Sequence, residues 1–162
     1  MRLVLYQPDI PQNLGTLIRL GACLGLPIDV VEPCGFPIGD RNLKRAAMDY
    51  GSAAAVTRHS SWQTFLGVRH GHRLVLLTTK ARETYTQFSF EPTDWIIVGS
   101  ESRGVPQDVH AGADHRICIP MSPGLRSLNV AVAAAMVIGE AMRQTETFPT
   151  LDTPAAKDTT DD

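Results

Sequence analysis

Two short apolar runs, Trp95-Ile-Ile-Val98 and Ile117-Cys-Ile119, are each cut off by a loop of glycine, proline and small polar residues. The first run is followed by Gly99-Ser-Glu-Ser-Arg-Gly-Val-Pro106, the second by Pro120-Met-Ser-Pro-Gly-Leu-Arg-Ser127. A chain written this way is steered towards an open parallel sheet, because loops leaving the carboxyl ends of adjacent buried strands form a ligand crevice.

The same alternation runs along the whole chain. Strands are expected at Leu3–Tyr6, Ile28–Val31, Ala54–Arg58, Leu74–Leu77, Trp95–Val98 and Ile117–Ile119. Helices are expected at Asn13–Gly25, Asn42–Met48, Trp62–Val68 and Leu128–Gln144, with loops at Pro33–Gly39 and around Tyr85, Phe88 and Phe90. This order predicts an α/β fold with a mostly parallel, doubly wound sheet. The last helix is nearly apolar all round (Val130, Val132, Met136, Val137, Ile138), so it should be buried on two sides. One partner is the sheet, and the second is either a subunit or the rest of a monomer.

At 162 residues with 43% hydrophobic side chains, the chain has material for one core, expected over residues 1–145. The segment 146–162 holds five acids against Lys157 and few apolar residues, which predicts a disordered acidic tail. In the body, twelve arginines outnumber two lysines. That bias suits forked contacts to phosphate or carboxylate and is compatible with RNA. Cys23, Cys34 and Cys118 are widely spaced, which suggests neither a disulfide framework nor a zinc site. With no basic leader and no apolar run of membrane-spanning length, a soluble cytoplasmic protein is expected. His70-Gly-His72 has no acid or cysteine beside it, so no metal is expected.

Three constellations could carry chemistry. Gly99-x-x-x-x-Gly104 has the outer spacing of a phosphate-binding loop, yet Val105-Pro106 stands where Lys and Ser/Thr are required. The same stretch resembles a nucleophile elbow, with Ser102 followed by Asp108 and by His110 or His115. However, the first elbow glycine is missing and Pro106 interrupts the helix that should follow. The second constellation, Ile119 to Asn129, is a proline-stiffened loop with Ser127 where an N-cap belongs. The third, Pro11 to Leu20, opens a helix that Gln12 or Asn13 can cap. Its Gly15 asks for a close approach, and Arg19 lies one turn later on the same face.

Together these segments resemble the SPOUT class of trefoil-knotted RNA methyltransferases, and over residues 1–145 they most resemble the small tRNA 2′-O-methyltransferases of the wobble nucleotide. The residues carrying the likeness are Asn13-x-Gly15-x-x-x-Arg19, Gly99-x-Glu101-x-x-Gly104 and Ile119-Pro-Met121 leading to Ser127-Leu-Asn129. Where many members continue after Asn129 with Ser-Asn, this chain has Val130-Ala131-Val132.

The resemblance implies a C-terminal trefoil knot holding S-adenosylmethionine, with cofactor contacts at Leu77, Gly99, Ile119, Ser127, Leu128 and Asn129. It implies methylation of the ribose of cytidine or uridine 34 in tRNA, of leucine isoacceptors, bound through the anticodon stem-loop. It further implies a homodimer that brings Arg19 of one subunit near the cofactor of the other. Arg19 is the expected catalytic residue, gripping phosphate and steadying the developing alkoxide, since a guanidinium stays protonated. Asn13, Gly15, Tyr50, Glu101 and Arg126 are expected to support the site or touch RNA. The rival readings are a ribosomal-RNA 2′-O-methyltransferase of the same fold and an RNA-binding factor without catalysis.

Overall fold

The structure, a computed structural model, describes residues 1–37 and 55–151. Its strands are β1 (Arg2–Tyr6), β2 (Ile28–Val31), β3 (Val56–His59), β4 (Leu74–Leu77), β5 (Glu83–Thr84), β6 (Trp95–Val98) and β7 (His115–Cys118). Its helices are α1 (Pro11–Leu24), α2 (Trp62–Val68), α3 (Gln107–Gly112) and α4 (Val130–Thr145). The strands form one sheet in the order β3-β2-β1-β6-β4-β7-β5, and every strand ladder is parallel. Strand β6 lies between β1 and β4, although residues 7–94 separate it from the end of β1 and residues 78–94 from the end of β4.

Alternating side chains divide the core between the two sheet faces. Leu3, Leu5, Ile28, Val30, Val75, Ile96 and Val98 point to the side covered by α1 and α4. Val4, Tyr6, Leu74, Leu76 and Ile97 point to the side covered by Trp62 and Phe65 of α2 and Val109 of α3. The sheet is therefore doubly wound, as its run of apolar strands predicts. Complete burial of each such side chain contributes roughly 1.5–3 kcal/mol. At one edge, the buried Asp29 of β2 accepts from Arg2 of β1 at 2.5 Å and bonds His59 of β3 at 2.6 Å, joining three strands through one carboxylate.

Several boundaries differ from expectation. Helix α1 begins at Pro11 with Ile10 as its N-cap and no side-chain cap bond, so neither Gln12 nor Asn13 caps it. Proline suits that first turn because the missing N–H would have no intrahelical acceptor. Strand β7 starts at His115 and leaves Ile119 in the following loop. Helix α4 starts at Val130, two residues later than expected, and ends at Thr145, where the expected body gives way to the acidic tail. Two elements were not anticipated. Strand β5 is two residues long and exists through its pairing with β7, and α3 has the single buried apolar anchor Val109. The helix expected at Asn42–Met48, Tyr50 and most of the acidic tail lie outside the described residues. Among the described residues, no helix is long and apolar enough to cross a membrane.

Candidate active site

The carboxyl ends of β4, β6 and β7 open onto a cavity of about 530 Å³. Leu76 to Lys80 enter it from β4, Val98 to Glu101 and Arg103 to Val105 from β6 and its loop, and Ile119 and Met121 from the loop after β7. Ser127 to Asn129 close it from the segment ahead of α4, Val130 and Ala133 from α4 itself, and Ile10 and Asn13 from the start of α1. The position agrees with the rule that ligands settle beyond the carboxyl ends of strands where strand order reverses. The size falls within the range of small-molecule sites, about 300–1,000 Å³.

The loop after β6 is shaped by its two glycines. Ser100 and Gly104 form an antiparallel bridge, with the Ser100 amide donating to the Gly104 carbonyl at 3.1 Å and the Gly104 amide returning the bond at 2.8 Å. The fold-back presses the two glycine backbones together: a Cβ on Gly99 would lie 2.6 Å from the carbonyl carbon of Gly104. Gly104 itself sits at φ +67, in the left-handed region that glycine enters at little cost. Immediately after Pro106, which stands at the N-cap, α3 begins. The proline therefore precedes a helix rather than preventing one.

A polar chain links this loop to the two helices. Asn13 of α1 is buried, and its Nδ2 donates to Oε1 of Glu101 at 2.9 Å. Its Oδ1 accepts from Asn129 Nδ2 at 3.0 Å. Asn129 is also the N-cap of α4, its Oδ1 accepting from the amides of Ala131 at 2.9 Å and Val132 at 3.3 Å. That corrects the expectation for Ser127, which lines the cavity two residues earlier. Asparagine and serine are comparable caps, so propensity alone does not separate them.

On the far side of the loop stands Asp9. Hydrogen bonding with Glu101 foremost, then with the hydroxyls of Ser102 and Ser100 and the Ser102 amide, outweighs the opposing effect of burial and holds its carboxyl well below the usual carboxylate range. The Ser102 hydroxyl is thereby committed to Asp9, not to an imidazole, which removes the basis for a serine nucleophile. His110, on the cavity wall, has its pKa lowered by burial and then by the charges of Lys80 and Arg116, which favours its neutral ring.

Of the residues singled out from sequence, Leu77, Gly99, Ile119, Ser127, Leu128, Asn129, Asn13 and Glu101 converge on the cavity. Gly15, Arg19 and Arg126 do not line it, and Arg19 is exposed on α1. Sequence reasoning missed Asp9, Lys80 and Arg103 as site residues, and it weighed His110 only as a partner of Ser102 in the elbow reading. Lys80 stands in Leu77-Thr-Thr-Lys80, and Arg103 lies inside the glycine loop itself, so both carried a positional signal. Asp9 carried none, since its partners lie more than ninety residues away.

Residues 1–139 match the family described as SpoU rRNA Methylase. The chain is 57% identical over 144 residues to a tRNA (cytidine(34)-2′-O)-methyltransferase of Beijerinckia indica, covering 88% of this chain and 90% of that protein. A solved structure described as giving insight into 2-OH methylation of C/U34 on tRNA superposes with a TM-score of 0.82 at 38% identity, covering 88% of this chain and 94% of the other. An AdoMet-bound rRNA methyltransferase from Sinorhizobium meliloti superposes with a TM-score of 0.75 at 25% identity, covering 88% of this chain and 55% of that one. The architecture is the SPOUT α/β fold with its C-terminal knot.

Proposed function

The chain belongs to the SpoU rRNA methylase family, and from that membership we propose that it is a tRNA (cytidine(34)-2′-O)-methyltransferase that uses S-adenosylmethionine. The observation that carries the reading is the 57% identity over nearly the whole body to a relative of that activity. The ribosomal-RNA alternative rests on 25% identity to a protein of which this chain covers 55%.

The cavity suits the donor in shape and chemistry. Leu76, Leu77, Val98, Ile119 and Leu128 supply apolar walls, while Gly99 lets its main chain approach that of Gly104 where a Cβ would intrude. S-adenosylmethionine supplies an activated methyl group, which leaves the protein chiefly the task of positioning. Leu77, Gly99, Ile119 and Ser127 would hold the donor, with Leu128 and Asn129 beside them. Glu101 and Asn13 fix the wall between donor and α1. Arg19 would grip a phosphate of the anticodon stem-loop and steady negative charge on the ribose oxygen, its guanidinium staying protonated throughout.

Arg19 lies outside the cavity of its own chain, so this role needs a second copy. The exposed apolar side chains Val132 (53%) and Met136 (39%) of α4, with Leu128 ahead of it, offer a surface for a homodimer. Free thiols at Cys23, Cys34 and Cys118 suit the cytosol, where tRNA is modified.

The test is methyl transfer by purified protein from labelled S-adenosylmethionine to unmodified tRNA transcripts and, separately, to ribosomal RNA, followed by nucleoside mass spectrometry. Label at the 2′-oxygen of residue 34, in leucine isoacceptors first, supports the reading. Label confined to ribosomal RNA, or none with either substrate, removes it.

A further inference from the structure

Asp9 lies between β1 and α1 and does not line the cavity, yet it makes most of the bonds that fix the glycine loop from outside. Its Oδ1 accepts from the Glu101 amide at 3.1 Å. Its Oδ2 accepts from the Ser100 hydroxyl at 3.1 Å, from the Ser102 amide at 3.3 Å and from the Ser102 hydroxyl. Its own amide donates back to Glu101 Oε2 at 2.9 Å. The two acids thus clasp one another reciprocally, main chain to side chain in both directions. Among the described residues, the other outside partner of this loop is Asn13, again through Glu101.

Asp9 is also backed from behind. The Gly35 amide donates to the Pro8 carbonyl at 3.0 Å, and Gly35 packs so closely that a Cβ on it would lie 2.6 Å from the Asp9 Cβ. The carboxylate therefore has little room to retreat from the loop. Its remaining freedom is restricted further because hydrogen bonds to an ionised acceptor are stronger than neutral ones.

We propose that Asp9 is a positioning residue for methyl-donor binding, holding the Gly99–Gly104 loop in the shape that receives the donor and fixing that loop to the start of the helix carrying Arg19. The inference rests on the donor-binding reading of the cavity. Asparagine at position 9 can still accept at one atom, but its amide nitrogen offers no lone pair to the Ser102 N–H. In the D9N variant one loop amide is therefore left without its acceptor, and the clasp opens on the side facing Ser100 and Ser102.

Calorimetric titration of the full-length protein with S-adenosylhomocysteine tests this. D9N should bind roughly 10-fold to 100-fold more weakly than wild type, the loss expected for hydrogen bonds to a charged acceptor. At saturating donor its single-turnover rate on tRNA should fall far less, because Asp9 touches no reacting atom. S100A/S102A, which keeps Asp9 and removes the two hydroxyl donors together with the 3.4 Å acceptor of the Arg103 amide, should weaken binding in the same direction and guards against a D9N chain that does not fold. Wild-type affinity in both variants, or a lower thermal midpoint with unchanged affinity, overturns the proposal. Amide exchange of the ligand-free protein separates the two layers: Glu101 and Ser102 should exchange at least about 10-fold faster in D9N, as expected when an opening event loses its opposing bond. If wild type binds no S-adenosylhomocysteine, the donor reading fails whatever the exchange shows. If wild type binds and D9N exchanges no faster, the clasp is what fails.

Discussion

Asn129 Nδ2 donates to Asn13 Oδ1 at 3.0 Å across 116 positions of sequence, so the residue that caps α4 also holds the buried amide of α1. One side chain therefore serves helix stability and site assembly through different atoms. Its Oδ1 takes the Ala131 and Val132 amides, and its Nδ2 reaches across to the other helix.

Asn129→Ala should lower stability by about 1–2 kcal/mol through loss of the cap and should weaken donor binding as well. Asn129→Asp keeps an acceptor for the α4 amides but has no N–H for Asn13. Its thermal midpoint should stay near wild type while S-adenosylhomocysteine affinity falls. Equal affinity in Asn129→Asp and wild type would show that the link to Asn13 has no part in binding.

Gly99→Ala places a methyl group 2.6 Å from the Gly104 carbonyl carbon. Gly104 is itself held by the bridge to Ser100, so relief requires the loop to open. Chemical denaturation should show a loss of about 1–3 kcal/mol, typical of overpacking, and calorimetry should show loss of donor binding. A variant that binds as wild type does would mean that the loop has slack the structure does not show.

The Asp9 carboxyl is held below its ordinary value of 3.8 by its bonds to the loop. A depressed carboxylate stabilises the fold at pH above its unfolded value, and that contribution is lost as pH falls through the folded one. Between pH 5 and the most acid range tolerated, wild type should therefore lose stability more steeply than D9N. Parallel acid limbs in urea titrations of the two proteins would contradict this.

Arg19→Ala should abolish turnover while leaving S-adenosylhomocysteine affinity within a small factor of wild type. Because Arg19 lies outside its own chain's cavity, mixing Arg19→Ala protein with Gly99→Ala protein should restore activity after subunit exchange. In such a mixed dimer one site combines an intact Arg19 with an intact donor loop. No recovery, with exchange verified by mass, would place both requirements within a single chain.

Much of this architecture was legible because each buried strand is a short apolar run bounded by breakers. Ile28–Val31, Leu74–Leu77 and Trp95–Val98 fall where the pattern puts them. What the pattern misses is held by partners distant in sequence. Glu83 and Thr84 form a strand because Ile117 and Cys118 lie beside them. The cap of α4 falls on Asn129 rather than Ser127, although local preference ranks the two alike. The cavity wall was legible through the glycine spacing and the Ile119–Asn129 loop. Asp9, which braces that wall, has no local signature because a clasp between residues 9 and 101 exists only after folding. The knot could be expected only from the family likeness, since threaded chains are otherwise excluded by default.

The most direct measurement of the central claim is mass spectrometry of anticodon-loop nucleosides from the source organism with the gene deleted, then restored as wild type or as Arg19→Ala. The account predicts that 2′-O-methylation at position 34 of tRNA disappears on deletion, returns with wild type and stays absent with Arg19→Ala. Unchanged methylation of that ribose after deletion would contradict it.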